Sequence, residues 1–199
     1  MKLQEDYIFI LHYFQFCYYL GMGIFYTRKG DSGFSHIGKV TINKLDCNIE
    51  ALGQLDELNC LIGILKSNNV RLKLRKILHE VQENLFIIQA IVAYKMLSEK
   101  RVPPQIGDDK IKSIETLIDE IEASLKVEKK FVIPGTNKIS AELDYIRAKS
   151  RTVERSILAV KMKNKLVGSY LNRLSSLFFA LARQAGQKPN KKEENPKYK

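Results

Sequence analysis

Histidine and cysteine are scarce in this chain, and that scarcity argues against several kinds of chemistry before any motif is read. The three histidines, His12, His36 and His79, lie far apart, and none stands three residues after a glutamate. The Glu-x-x-His pairs of a di-iron helical bundle are therefore missing. Nor does a Ser-His-Asp or Cys-His set present itself for nucleophilic catalysis. Cys17, Cys47 and Cys60 form an odd, scattered set, which speaks against a disulfide framework or a zinc site and for a reducing, cytoplasmic compartment. The order Gly-x-x-x-x-Gly-Lys-Ser/Thr is absent. So is the strand-helix-strand alternation in which a glycine-rich loop would mark a dinucleotide site. No internal repeat is apparent.

What is present is enough chain for one domain, 199 residues of which 45% are hydrophobic, carrying a net charge of +11. Three of those charges fall in residues 187–199, where five lysines and two glutamates sit among Pro and Asn, so this end is expected to be a disordered basic tail. The remaining charge calls for an anionic partner, whether nucleotide, nucleic acid or acidic surface. At the other end, residues 7–25 are largely apolar and approach the roughly 20 residues of a membrane helix. Against that reading, Glu5 and Asp6 occupy the place of a positive n-region, His12 and Gln15 interrupt the apolar run, and no small-residue cleavage site follows. Residues 1–21 are expected to be a dispensable extension or a misassigned start, with Met22 as an alternative start, and no membrane partner is expected.

Residues 22–186 read as one helical domain. Ile49, Leu52, Leu55, Leu58, Ile62 and Leu65 recur at three and four residues, predicting an amphipathic helix over 46–67. Leu74, Ile77, Leu78, Val81, Leu85, Ile88 and Val92 predict a second over 71–96, before Pro103-Pro104 and Gly107 break the pattern. A third is predicted over 108–127, with Asp108 and Asp109 at its positive end. Residues 129–135 read as a short extended piece ending in a Pro-Gly turn. A fourth helix, capped by Asn137 or Ser140, runs to about Val160, and a fifth covers 164–185. Five helices with short links and almost no strand predict an all-α, up-and-down bundle.

Two stretches carry chemistry. Residues 26–38 form a loop whose core, Tyr26 to Ser35, holds two glycines, three Ser/Thr hydroxyls and the cations Arg28 and Lys29. Backbone N–H groups beside glycine, hydroxyl donors and positive charge are the parts of a phosphate cradle, although a solvated turn has the same composition. In the fourth helix Arg147, Arg151 and Arg155 stand one above another at four-residue spacing, with Glu154 alongside. Stacked guanidiniums repel unless an anion lies opposite, and Arg forks suit polyphosphate or carboxylate; a solvated charged face is the alternative. Asp56 and Glu57 are either ordinary solvated helix charges, the reading that spacing alone favours, or a partner for one of these arginines, within the subunit or across an interface. Asn172 is either a nucleotide donor or a surface amide.

From Phe25 to about Arg183 the chain resembles the PduO-type ATP:corrinoid adenosyltransferases. Four separated motifs carry the resemblance: Tyr-Thr-Arg-Lys-Gly-Asp-x-Gly-x-Ser at 26–35, Glu-Ala-x-Gly-x-Leu-Asp-Glu-Leu-Asn at 50–59, Phe-Val-Ile-Pro-Gly at 131–135, and the set Arg147, Arg151, Glu154, Arg155 followed by Asn172-Arg173-Leu174-Ser175. The resemblance implies a five-helix bundle that forms a homotrimer with active sites between subunits. It implies ATP, Mg²⁺ and a reduced corrinoid as the molecules bound, a flavin-type reductase as electron source, and hand-over of product to a B12-dependent enzyme. By resemblance, Thr27, Arg28, Lys29, Gly30, Ser35, His36 and Lys44 contact ATP. Arg151, Glu154 and Arg155 hold the triphosphate and its metal surroundings, and Asn172 binds the nucleotide. Asp56 and Arg147 match a pair that bridges subunits beside the corrinoid, and Phe131 matches the aromatic residue that displaces the corrinoid's lower ligand. Two positions depart from the family pattern: Thr152 stands where a second arginine is usual, and Ser35 where threonine is more frequent.

A cobalt(I) corrinoid is itself a strong nucleophile, so such a reaction needs no protein base, in keeping with the missing histidine constellation. A nucleic-acid-binding module built on the arginine row is the rival reading, and it predicts steep salt dependence without any need for ATP. Low aromatic interleaving among the basic residues argues against single-strand binding.

Overall fold

The structure, a computed structural model, describes Tyr26, residues 28–97, Val102 and residues 104–125, 130–162, 164–187 and 193–198. The extension at residues 1–21 and Thr27 lie outside the described residues. A short hairpin, β1 (Phe34–Ile37) and β2 (Val40–Asn43), precedes five helices: α1 (Cys47–Ser67), α2 (Leu72–Met96), α3 (Asp108–Ser124), α4 (Lys138–Ala159) and α5 (Lys165–Gly186).

Each helix begins or ends within a few residues of its predicted limit, because the periodicity and the caps agree. The Asp46 carboxylate accepts from the Asn48 amide at 2.8 Å and starts α1. Of the two candidate caps of α4, Asn137 takes the role, accepting from the Ser140 amide at 3.0 Å, and Asn164 caps α5 in the same way. Helix α3 ends at Ser124, short of the predicted limit.

Helix α4 packs between α1 and α5; α1 also packs on α2, and α5 on α3. Spatial neighbours therefore do not follow chain order. The apolar rows of all five helices meet in one core that includes Leu55, Ile62, Leu85, Ile146, Leu174 and Phe178. Buried Tyr170 of α5 accepts a hydrogen bond from Asn84 of α2 at 3.1 Å, and burial pushes its phenol pKa up. No helix among the described residues is long and apolar enough to cross a membrane.

The hairpin was not expected from sequence. Its strands pair antiparallel in the register Phe34↔Asn43 to Ile37↔Val40, leaving Gly38-Lys39 as a two-residue turn. Gly38 has φ 58°, at the position where a II′ turn wants glycine, and a Cβ there would meet Leu97 at 3.1 Å. Part of the tail read from sequence as disordered, residues 193–198, is placed against the bundle with defined contacts from Glu193, Glu194 and Asn195.

Candidate active site

The predicted phosphate loop is closed by a residue on the far side of the hairpin. Lys44 Nζ donates to the Gly30 carbonyl at 2.7 Å, and the Lys44 amide donates to the Gly33 carbonyl at 2.9 Å. Gly30 leaves room for this approach: a Cβ on it would stand 3.1 Å from Lys44 Nζ. Arg28 lies at φ 60°, a region that residues with side chains seldom occupy, and its guanidinium sits 5.4 Å from the Tyr26 ring centroid. Backbone outliers of this kind gather where a loop must hold a ligand. His36 Nδ1 and Thr41 Oγ1 lie 3.0 Å apart across the hairpin, and Ser35 is half-buried beside them in β1. Gly30, Gly33 and Lys44 are thus one cluster, with Arg28 and Lys29 beside it in the chain and both exposed.

The second cluster joins three helices. Asn172 of α5 donates from Nδ2 to Glu154 Oε1 of α4 at 2.9 Å. Arg173 donates to Asn172 Oδ1 at 2.8 Å and to Glu115 Oε1 of α3 at 2.7 Å. The Asn172 amide is thereby oriented at both ends. In the arginine row, Arg155 donates to Thr152 Oγ1 at 3.1 Å, so the Thr152 hydroxyl anchors it. Arg147 leans 3.6 Å from Asp144 of its own helix. Arg151 is exposed and has no hydrogen bond or ion pair among the described residues.

Within one chain the pairing of Asp56 with Arg147 does not occur. The acid of α1 that reaches α4 is Glu57, whose partner is Lys149, a lysine that also donates to Gln54 at 2.6 Å. Glu57 and Lys149 face each other across the α1–α4 contact, whereas Asp56, one residue earlier, points elsewhere and is exposed.

Phe131 lies apart from both clusters, on the stretch before α4, and is 78% exposed. Helices α4 and α5 run antiparallel, tied by Asn137 to the Ala185 carbonyl at 2.7 Å, by Asp144 to Arg183, and by Glu154 to Asn172. Phe131 belongs to the Asn137 end. From Ala185 to Asn172 is about 20 Å along the helix axis at 1.5 Å per residue. Among the described residues Asp144 and Arg183 are the deepest charged pair, at 5% and 3% side-chain exposure. Sequence reading missed them, although each interrupts an apolar helix face. Arg183 also lies 5.0 Å from the Phe179 ring centroid and 3.3 Å from Glu193, whose carboxyl burial pushes up against the pull of Arg183. Among the described residues no group of three or more His, Cys, Asp or Glu is gathered as a metal site.

A family profile described as cobalamin adenosyltransferase matches residues 25–185, a span that takes in both polar clusters and Phe131. The chain belongs to the cobalamin adenosyltransferase family. A corrinoid adenosyltransferase from Citrobacter freundii is 36% identical over 162 residues, covering 79% of this chain and 92% of that one. One from Mycobacterium tuberculosis is 32% identical over 168 residues, covering 80% and 87%. Among solved structures, a variant PduO-type ATP:corrinoid adenosyltransferase from Lactobacillus reuteri, complexed with cobalamin and ATP, superposes with TM-score 0.80 at 29% identity. That match covers 86% of this chain and 98% of the other. In this member of the cobalamin adenosyltransferase family the structure gives a role to Arg173, quoted from sequence without one, and adds Glu115: Arg173 holds the amide of Asn172, and Glu115 holds Arg173.

Proposed function

We propose that this chain is an ATP:corrinoid adenosyltransferase, which transfers the 5′-deoxyadenosyl group of ATP to the cobalt of a reduced corrinoid and releases triphosphate. The observation that carries the reading is Arg151, an exposed guanidinium without a partner among the described residues, on the same helix as Glu154, which Asn172 of α5 engages from the neighbouring helix. Charge left uncompensated beside an ordered polar pair is what a bound polyphosphate requires.

The cobalt(I) nucleophile attacks the ribose 5′-carbon, and negative charge grows on the departing triphosphate. Arg151, Arg155, Lys29 and Lys44 stabilise that charge where it develops, while Arg28, Gly30, Ser35 and His36, with Thr27, close the loop over the nucleotide. Asn172 positions the nucleotide through its remaining hydrogen-bond capacity. Mg²⁺ fits the donor set as an ion held mainly by phosphate oxygens, since Glu154 is the carboxylate beside the arginine row and Mg²⁺ needs only one or two protein carboxylates. Bound there, it would neutralise phosphate charge. Phe131 contributes exclusion: its exposed ring, placed under the corrinoid, keeps water and base from the lower face and favours the four-coordinate state that is easier to reduce.

The separation of Phe131 from the Glu154–Asn172 cluster supports an active site completed by a neighbouring subunit, in a homotrimer. So does Asp56, which has no partner among the described residues and is available to Arg147 of a neighbour, and the exposure of Tyr145, Leu158 and Phe179 on α4 and α5. A flavin-type reductase in the cytoplasm would supply the electron, with the product passing to a B12-dependent enzyme. Sedimentation should give three times the chain mass; a monomer at micromolar concentration would contradict the shared site.

The deciding experiment mixes the protein with cob(II)alamin, a reductant, Mg²⁺ and ATP and records the visible spectrum for light-sensitive adenosylcobalamin. No product with ATP still bound would leave a nucleotide-binding scaffold. Binding of nucleic acid with steep salt dependence, without ATP binding, would favour the basic module. Phe131→Ala should lower kcat by one to two orders of magnitude, about 1.4–2.7 kcal/mol of transition-state stabilisation, with little change in ATP affinity. An equal loss of both would count against its role. Arg173→Leu, which frees the Asn172 amide, should raise KM for ATP by about tenfold, as loss of a charge-assisted hydrogen bond implies. An unchanged KM would show that Asn172 needs no such support.

A further inference from the structure

The segment Glu193–Asn195 comes back to the stretch that carries Phe131. Asn195 Nδ2 donates to the Phe131 carbonyl at 2.8 Å, and the Ile133 amide donates to the Glu194 carbonyl, also at 2.8 Å. These two bonds bracket Val132 and fix the backbone on either side of it. Glu193 then ties the segment to the bundle, with Oε1 3.3 Å from Arg183 Nη1, and Arg183 is locked to Asp144 between α5 and α4. Gly186 leaves space for that carboxylate: a Cβ at this position would stand 2.7 Å from Glu193 Oε1. A partly buried anchor, two backbone-directed bonds and a matching gap in α5 make this a built contact.

Residues 130–135 contain no helix or strand, and Gly135 at φ 118° gives their end added freedom. The Phe131 ring is exposed, so its position is set by the backbone beneath it and not by packing around it. A ring that must be in one place when a large planar ligand arrives works better if its backbone is already ordered, because the cost of ordering is then not drawn from binding.

We propose that Glu193–Asn195 is a strap that positions Phe131, with Asn195 fixing the Phe131 carbonyl and Glu193 anchoring the strap to Arg183. This inference rests on the reading of Phe131 as the residue beneath the corrinoid. Asn195 and Glu193 are positioning residues and touch no reacting atom.

The test compares the full chain with Asn195→Ala, Asn195→Asp, Asn195→Gln and a chain ending at Gln187. Asn195→Asp keeps the shape but replaces the donor by an acceptor, whereas Asn195→Gln keeps a donor amide. We expect kcat to fall by about three- to tenfold in the Ala and Asp variants, the range for one lost hydrogen bond, with KM for ATP unchanged and partial recovery in the Gln variant. The electron paramagnetic resonance of cob(II)alamin bound to the ATP-saturated protein should show a smaller fraction freed of its lower base. A merely structural contact would lower the melting temperature without moving that fraction. Independently of any activity, the Ile133 amide should exchange hydrogen faster in the chain ending at Gln187. Unchanged exchange at Ile133 overturns the strap, as do an unaltered base-off fraction and kcat in an active enzyme. An inactive parent protein with normal Ile133 protection would instead overturn the reading of the function while leaving the contact itself upheld.

Discussion

An Arg151→Ala variant is expected to form adenosylcorrinoid about 10²- to 10³-fold more slowly than the parent, the usual cost of removing one donor aimed at charge that develops in a transition state. The magnitude follows from the state of each arginine in the row. Arg147 spends part of its charge on Asp144, 3.6 Å away, and Arg155 donates to Thr152, but Arg151 is exposed and engages nothing among the described residues. Its whole donor capacity is open to triphosphate. Arg151→Lys retains the charge and loses the two-pronged fork, so it should fall between the parent and Arg151→Ala. Single-turnover formation of the adenosylated product measures the effect. Because Arg151 is exposed, the unfolding free energy should stay within about 0.5 kcal/mol of the parent, as for a surface substitution. A parental rate for Arg151→Ala would remove Arg151 from the mechanism and undermine the reading of the α4 cluster.

The second large effect concerns stability. Asp144→Ala leaves the Arg183 guanidinium buried, with Glu193 as its remaining acidic contact, and is expected to cost about 3–5 kcal/mol, the cost of stripping one partner from a buried ion pair. For a chain of this size that is a fall in melting temperature on the order of 10 °C. Replacing both residues by apolar ones of similar volume, as in Asp144→Leu with Arg183→Met, should recover most of the loss, since neither charge is then left in the core. Thermal unfolding followed by circular dichroism distinguishes the two cases. If Asp144→Ala melts with the parent, the pair contributes nothing that solvent does not replace.

The site was legible in the sequence wherever the signal was local. Tyr26–Ser35 announced a loop by its glycines, hydroxyls and cations, and the arginine row announced itself by four-residue spacing, because a helix converts that spacing into one face. The hairpin escaped because each strand has only four residues, too short for an alternation to stand out from a loop. Its one clear signal, Gly38-Lys39 between Phe-Ser-His-Ile and Val-Thr-Ile, is a two-residue turn that could have been weighed. The acid opposite α4 was narrowed to Asp56 or Glu57, yet the choice between them depends on the rotation of α1 against α4. Neighbours in a helix differ by about 100° in direction, so packing alone decides which one meets Lys149.

Sequence by itself determined the five helices, narrowed the cap of α4 to Asn137 or Ser140, and supplied the residue types of the polar clusters, because periodicity and capping act over distances of a few residues. Only the tertiary structure decided the partners. It joined Glu115 to Arg173, Glu154 to Asn172, Asp144 to Arg183, and Asn195 to Phe131. Each of those contacts links residues far apart in the chain, and no local rule encodes them. They exist because the apolar faces, once buried together, fix the angle and height at which the helices meet, and the polar groups along those lines must then satisfy one another.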